Sequence, residues 1–104
     1  MQYDEKANGR QVEATLNEEF EIVLPEVRTA GYHWKIVTKG EPPLQLLADE
    51  RQPNADSVGG AGRHRWRFRA DAVGTSEIRI QYARPWEDSA ESARTFELKV
   101  RVQS

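Results

Sequence analysis

The chain contains no cysteine in 104 residues. This excludes a disulfide framework, a thiol nucleophile and any cysteine-based metal site. There are two histidines, His33 and His64, without metal-ligand spacing, so no metal is expected. No apolar run approaches the ~20 residues needed to span a bilayer. The opening Met1-Gln2-Tyr3-Asp4-Glu5-Lys6 lacks the apolar core of a signal peptide. The expected location is therefore cytoplasmic if residues 1–104 are the full chain, and periplasmic or secreted if a signal peptide was removed. Neither sign of charge dominates: 15 Lys and Arg face 17 Asp and Glu, for a net charge of -2. A general nucleic-acid binder would carry a basic excess. No segment sustains a 3.6-residue period, and there is no internal repeat, linker or low-complexity tract. No paired nucleophile and base is apparent, so no catalytic residue, no cofactor and no enzyme activity are expected.

What the chain does have is alternation with period two. Val12, Ala14 and Leu16 share one parity, as do Phe20, Ile22 and Leu24, then Tyr32, Trp34 and Ile36, then Leu44 and Leu46. The second half repeats the pattern with Trp66, Phe68 and Ala70, with Ile78, Ile80 and Tyr82, and with Phe96, Leu98, Val100 and Val102. Successive strand side chains point to opposite faces, so each run supplies one apolar face. Strands are predicted at about 11–16, 19–24, 32–38, 44–49, 64–71, 76–82 and 94–102. Asn17-Glu18, Lys39-Gly40-Glu41-Pro42-Pro43 and Ala72-Val73-Gly74-Thr75 punctuate them, with glycine free to take positive φ. The longest loops are expected at about 50–62 and 83–93. These signals predict a single domain over 1–104, an all-β immunoglobulin-like β-sandwich of seven to eight mostly antiparallel strands.

Three motifs fall between the strands: Arg28-Thr29-Ala30-Gly31-Tyr32-His33-Trp34, then Gly59-Gly60-Ala61-Gly62, then Arg84-Pro85-Trp86. Three loops at one end of a sandwich would form one composite surface tipped with an aromatic, suited to gripping another protein. Pro85 fixes φ and stiffens its loop, so less entropy is lost on binding. Trp86 presents a large apolar area after proline in a polar loop, and Trp is the residue type most enriched at interface hot spots. The glycine cluster exposes backbone groups that can pair with an extended partner edge. It is no phosphate loop, because no Lys-Ser/Thr follows it.

The remaining conspicuous residues have plainer readings. Trp34 and Trp66 share parity with core positions and are expected in the core. Arg63, Arg65, Arg67 and Arg69 read as the solvated face of one strand, with Glu21, Glu77 and Glu97 available across strands. His33 takes an outward position between Tyr32 and Trp34. The acidic pairs Asp49-Glu50 and Glu87-Asp88 read as turn or solvent positions rather than paired catalytic carboxylates.

In this order and spacing the motifs resemble those of the chagasin family, inhibitors of papain-like cysteine proteases. That family's loops read roughly Asn-Pro-Thr-Thr-Gly-Tyr-x-Trp, Gly-x-Gly-Gly and Arg-Pro-Trp. The similarity runs from the first strand to Phe96-Glu97-Leu98-Lys99-Val100, and is tightest from Ala72-Val73-Gly74-Thr75 to Tyr82-Ala83-Arg84-Pro85-Trp86. Departures are Val27-Arg28 in place of Asn-Pro, Ala30 in place of the second Thr, and Ala61 in place of a glycine. The resemblance implies an immunoglobulin-like sandwich whose three loops wedge into a protease cleft. The first loop would lie over the catalytic Cys and His, and the other two would clamp either side. Carried over, the protease-binding residues are Arg28, Thr29, Ala30, Gly31 and Tyr32, then Gly59, Gly60, Ala61 and Gly62, then Arg84, Pro85 and Trp86. Small residues at 29–31 would let the backbone approach a thiol closely. The implied partner is a papain-like cysteine protease, bound reversibly and tightly by a monomer, with no nucleic acid and no membrane. The alternative is an immunoglobulin-like protein-binding or adhesion module that has lost inhibitory activity.

Overall fold

The computed structural model describes residues 1–27, 33–53, 61–83 and 94–104. The described residues form eight strands: β1 Gln2–Tyr3, β2 Arg10–Thr15, β3 Glu19–Val27, β4 His33–Lys39, β5 Leu44–Pro53, β6 Ala61–Ala70, β7 Gly74–Ala83 and β8 Arg94–Gln103. They form two four-stranded sheets, ordered β1-β3-β6-β5 and β2-β8-β7-β4. Among the described residues no helix is long and apolar enough to cross a membrane.

The alternation read from the sequence becomes the space between the sheets. Ile22, Leu24, Trp66 and Phe68 from one sheet meet Ile78, Ile80, Leu98 and Val100 from the other, all at 0% exposure. Phe20 stacks on Phe68, its register partner, at 5.3 Å between ring centroids. Each such side chain contributes roughly 1.5–3 kcal/mol by leaving water, and this burial is the main force holding the two sheets together.

Four of the six strand pairings are antiparallel. The other two are parallel: β1 lies along β3 and β2 along β8, with Arg10 opposite Leu98 and Thr15 opposite Gln103. β1 and a short 3₁₀ helix over Glu5–Ala7 add to the predicted elements. Two residues carry no periodicity, and the helix is a local matter in which the Asp4 carboxylate accepts from the backbone N–H of Lys6 at 2.9 Å.

The expected 50–62 loop is shorter than predicted. β5 continues to Pro53 and β6 begins at Ala61. Polar and glycine-rich composition argues for a loop, but ladder partners override it: Gly62 pairs with both Glu26 and Pro53, and Ala61 with Val27. β3 likewise runs past the predicted residue 24, to Val27.

The turns behave as read. Asn17 and Gly40 both have φ 73, and Gly74 has φ 152.

Candidate functional site

The registers decide where the three motif-bearing connections lie. Val27, the last residue of β3, sits opposite Ala61, the first of β6. Pro53, the last of β5, also pairs at the start of β6, with Gly62. In the second sheet His33, which opens β4, pairs with Ala83, which closes β7, and Arg94 at the start of β8 pairs with Tyr82. The strand ends that bracket 28–32, 54–60 and 84–93 therefore all lie at one end of the sandwich. The first joins the two sheets, the second joins β5 to β6, and the third joins β7 to β8.

Of the predicted site residues, Ala61 and Gly62 are the first two residues of β6. Arg28, Thr29, Ala30, Gly31, Tyr32, Gly59, Gly60, Arg84, Pro85 and Trp86 lie outside the described residues. What the structure supplies is the platform they stand on.

On the second sheet that platform is Trp34. It is 6% exposed, as its parity predicts. Its ring lies 4.9 Å from that of Tyr82, tilted by 41°. The Arg94 guanidinium sits 5.9 Å from its centroid, close enough for a cation–π contact. One indole thus touches the end of β7 and the start of β8.

On the first sheet the platform is polar. Glu26 is the one buried charged side chain among the described residues, at 1% exposure. Its Oε1 accepts from the backbone N–H of Trp34 at 3.1 Å. In return the Trp34 Nε1–H donates to the carbonyl of Pro25 at 2.8 Å. Two imidazoles flank the carboxylate, with His33 Nδ1 3.6 Å from Oε1 and His64 Nδ1 3.6 Å from Oε2. The far side of this group is held by Asp49, whose Oδ1 is bonded to His64 Nε2. His64 also stacks flat on Trp66, 4.1 Å apart and 3° from parallel.

Two expectations are corrected here. His33 is not simply outward: its side chain is 29% exposed and reaches the buried carboxylate. It can do so because β4 is an edge strand, with no neighbour on its second side. Asp49 is not merely a turn or solvent position. A register shift between Leu46 and Ala48 puts it opposite Trp66 at the sheet edge, and its carboxylate bonds His64.

Glu26 itself has no predicted role, although a signal exists. It continues the inward series Phe20, Ile22, Leu24, just as His64 continues Ala70, Phe68, Trp66. A charge at the end of an apolar parity series marks a polar layer capping the core.

Three arginines of the β6 face, Arg65, Arg67 and Arg69, pair locally. Arg67 bonds Glu21 at 2.9 Å, with Arg65 3.5 Å from the same carboxylate. Arg69 bonds Asp71 at 2.6 Å and Gln45 at 2.8 Å. Glu77 and Glu97 serve Arg79 on the other sheet instead. Partial burial pushes the Glu21 carboxyl up, but the Arg67 hydrogen bond and the charges of Arg65 and Arg67 outweigh it and hold it below its ordinary value. Among the described residues no group of three or more His, Asp or Glu is placed to hold a metal ion.

Residues 13–100 match the family model described as Chagasin family peptidase inhibitor I42. The chain belongs to the chagasin family. It is 31% identical to Amoebiasin-1 of Entamoeba histolytica, over 99% of this chain and 100% of that protein. Among solved structures it is similar to the cysteine protease inhibitor EhICP2 from Entamoeba histolytica, with a TM-score of 0.85 and 24% identity over 98% of this chain and 94% of that one. The solution structure of Amebosin gives a TM-score of 0.80 at 28% identity, covering 98% and 96%. PbICP-C, solved in complex with falcipain-2, shares the fold at a TM-score of 0.69 and 18% identity, covering 99% and 90%. Chagasin-family membership makes this chain a peptidase inhibitor, and the end carrying the three motifs is its candidate inhibitory site.

Proposed function

We propose that the protein is a reversible, tight-binding inhibitor of papain-like cysteine proteases that acts by occlusion and has no catalytic activity of its own. The loop at Arg28–Tyr32 covers the protease's catalytic centre. The loops carrying Gly59–Gly62 and Arg84-Pro85-Trp86 clamp the cleft on either side. The observation that carries this reading is the convergence of all three motif-bearing connections on one end of the sandwich. Family membership and the solved complex of PbICP-C with falcipain-2 support it from outside the chain. A wedge of this kind buries roughly 1,600 Å² in total, a standard interface. Trp86 is its aromatic anchor, and Gly59 and Gly60 present bare backbone to the partner.

Titration of active-site-counted papain or a cathepsin with the pure protein tests the reading. Stoichiometric, reversible loss of peptidase activity is expected. No inhibition at micromolar protein rules these enzymes out as targets, and a non-protease partner in their place points to a binding module that has lost inhibition.

A further inference from the structure

We propose that Glu26 is a positioning residue for inhibition, a buried brace that sets the distance and orientation between the two strands from which the first loop leaves. The functional half of this inference rests on the inhibitor reading above; the structural half does not.

The argument begins with cost. A buried carboxylate is expensive to desolvate and persists only where hydrogen bonds compensate it. Core packing alone would extend the series Phe20, Ile22, Leu24 with another apolar side chain. Instead the carboxylate stands one residue from the end of β3 and accepts the backbone N–H of the second residue of β4. The Trp34 indole returns a hydrogen bond to the carbonyl of Pro25. This reciprocal pair crosses from one sheet to the other between the strand ends that bracket segment 28–32. Both strand ends are fixed by side chain to backbone, independently of what the loop itself contains.

The same carboxylate lies beside a polar group on β5 and β6, the strands that bracket segment 54–60. The Asp49 carboxylate accepts from His64 Nε2–H. Nδ1 lies 3.6 Å from Glu26 Oε2, beyond hydrogen-bond distance, and both atoms are buried without a hydrogen-bond partner among the described residues. Asp49, His64 and Glu26 thus lie in a row across β5, β6 and β3, with one hydrogen bond between His64 and Asp49 and another from the Trp34 N–H of β4 to Glu26. These four strands are the roots of segments 28–32 and 54–60.

Two variants separate positioning from plain stability. Glu26→Gln keeps an oxygen for the Trp34 N–H and offers its NH₂ to His64 Nδ1. Glu26→Leu fills the space and makes neither bond. Glu26→Leu should unfold at a lower temperature than the parent but remain folded in the assay, and inhibit papain at least tenfold more weakly, chiefly through faster dissociation. Glu26→Gln should stay within about threefold of the parent. A folded Glu26→Leu that inhibits like the parent overturns the proposal, as does a folded Glu26→Gln that fails as badly as Glu26→Leu. Amide exchange in the free protein needs no protease. The Trp34 backbone N–H should be protected in the parent and in Glu26→Gln and lose protection at least tenfold in Glu26→Leu. Equal protection in all three overturns the brace. A parent that inhibits nothing but shows this pattern sinks the inhibitor reading and leaves the brace standing. If Glu26→Leu does not fold, Glu26→Gln decides: parent-like exchange and inhibition uphold the proposal, and loss of either overturns it.

Discussion

The two ends of this sandwich are held by different means. At the end away from the motifs, backbone bonds and unusual φ angles do the stitching. Asn17 donates to the Ala70 carbonyl at 2.7 Å, Ala70 donates back to Glu18 at 2.9 Å, and Asp71 donates to Pro43 at 2.9 Å. Asn17 and Gly40 take positive φ to make those turns. At the motif end the roots are joined by side chains instead: Glu26 to Trp34, Trp34 to Pro25, His64 to Asp49. Backbone stitching fixes the fold whatever the side chains, whereas side-chain bracing places strand ends and leaves the intervening segments free to vary in sequence. One end should therefore report on stability and the other on binding.

The comparison is tested most severely by Gly40. A Cβ there would lie 2.5 Å from Ser76 Oγ and 2.8 Å from Leu44 Cδ1, at φ +73. Gly40→Ala should cost about 2–3 kcal/mol in denaturant unfolding while the folded protein inhibits as before; a weakened inhibition constant would mean that the two ends are coupled. The converse is Trp86→Ala. It should weaken inhibition tenfold or more, about 1.4 kcal/mol, with no change in the unfolding midpoint. An unchanged inhibition constant removes Trp86 from the site.

Trp34 belongs to both categories and should show both effects. Trp34→Phe removes the indole N–H that bonds Pro25, for about 1 kcal/mol of stability, and inhibition should weaken with it. A loss of stability alone would place Trp34 with the core rather than with the loop roots.

The smallest effect belongs to the arginine face, remote from either end's task. Glu21→Gln should cost less than about 1 kcal/mol. Because the Glu21 carboxyl is held below its ordinary value in the folded protein, its contribution is present above about pH 4.3 and is lost as the pH falls further. Acid unfolding curves of the parent and the Glu21→Gln variant should converge below that point, and inhibition at neutral pH should not differ.

The framework is legible in the sequence because burial in a sandwich has period two. Phe20 to Leu24, Trp66 to Ala70 and Phe96 to Val102 all face inward as their parity requires. Although Ala61 and Gly62 fall inside β6, the strands that bracket the three motifs are legible for the same reason. Their convergence on one end is an expectation that only non-local pairing can establish. The misses share that cause. Gly62 looks like a loop residue until Glu26 and Pro53 are placed on either side of it. Asp49 looks like a solvent position until a bulge shifts the register and brings its carboxylate to His64. Glu26 is easy to overlook because its charge outweighs its parity, although a carboxylate at an inward position is the more informative of the two facts.

The parallel pairing of β2 with β8 carries a consequence for kinetics. Arg10 must find Leu98 and Thr15 must find Gln103 before the second sheet is complete, so closure of almost the whole chain precedes the contacts that reward it. Topologies of this kind fold in milliseconds to seconds rather than microseconds. Replacing the motif segments leaves that seam untouched, so stopped-flow refolding of such a variant should proceed at close to the parent's rate while what it binds changes.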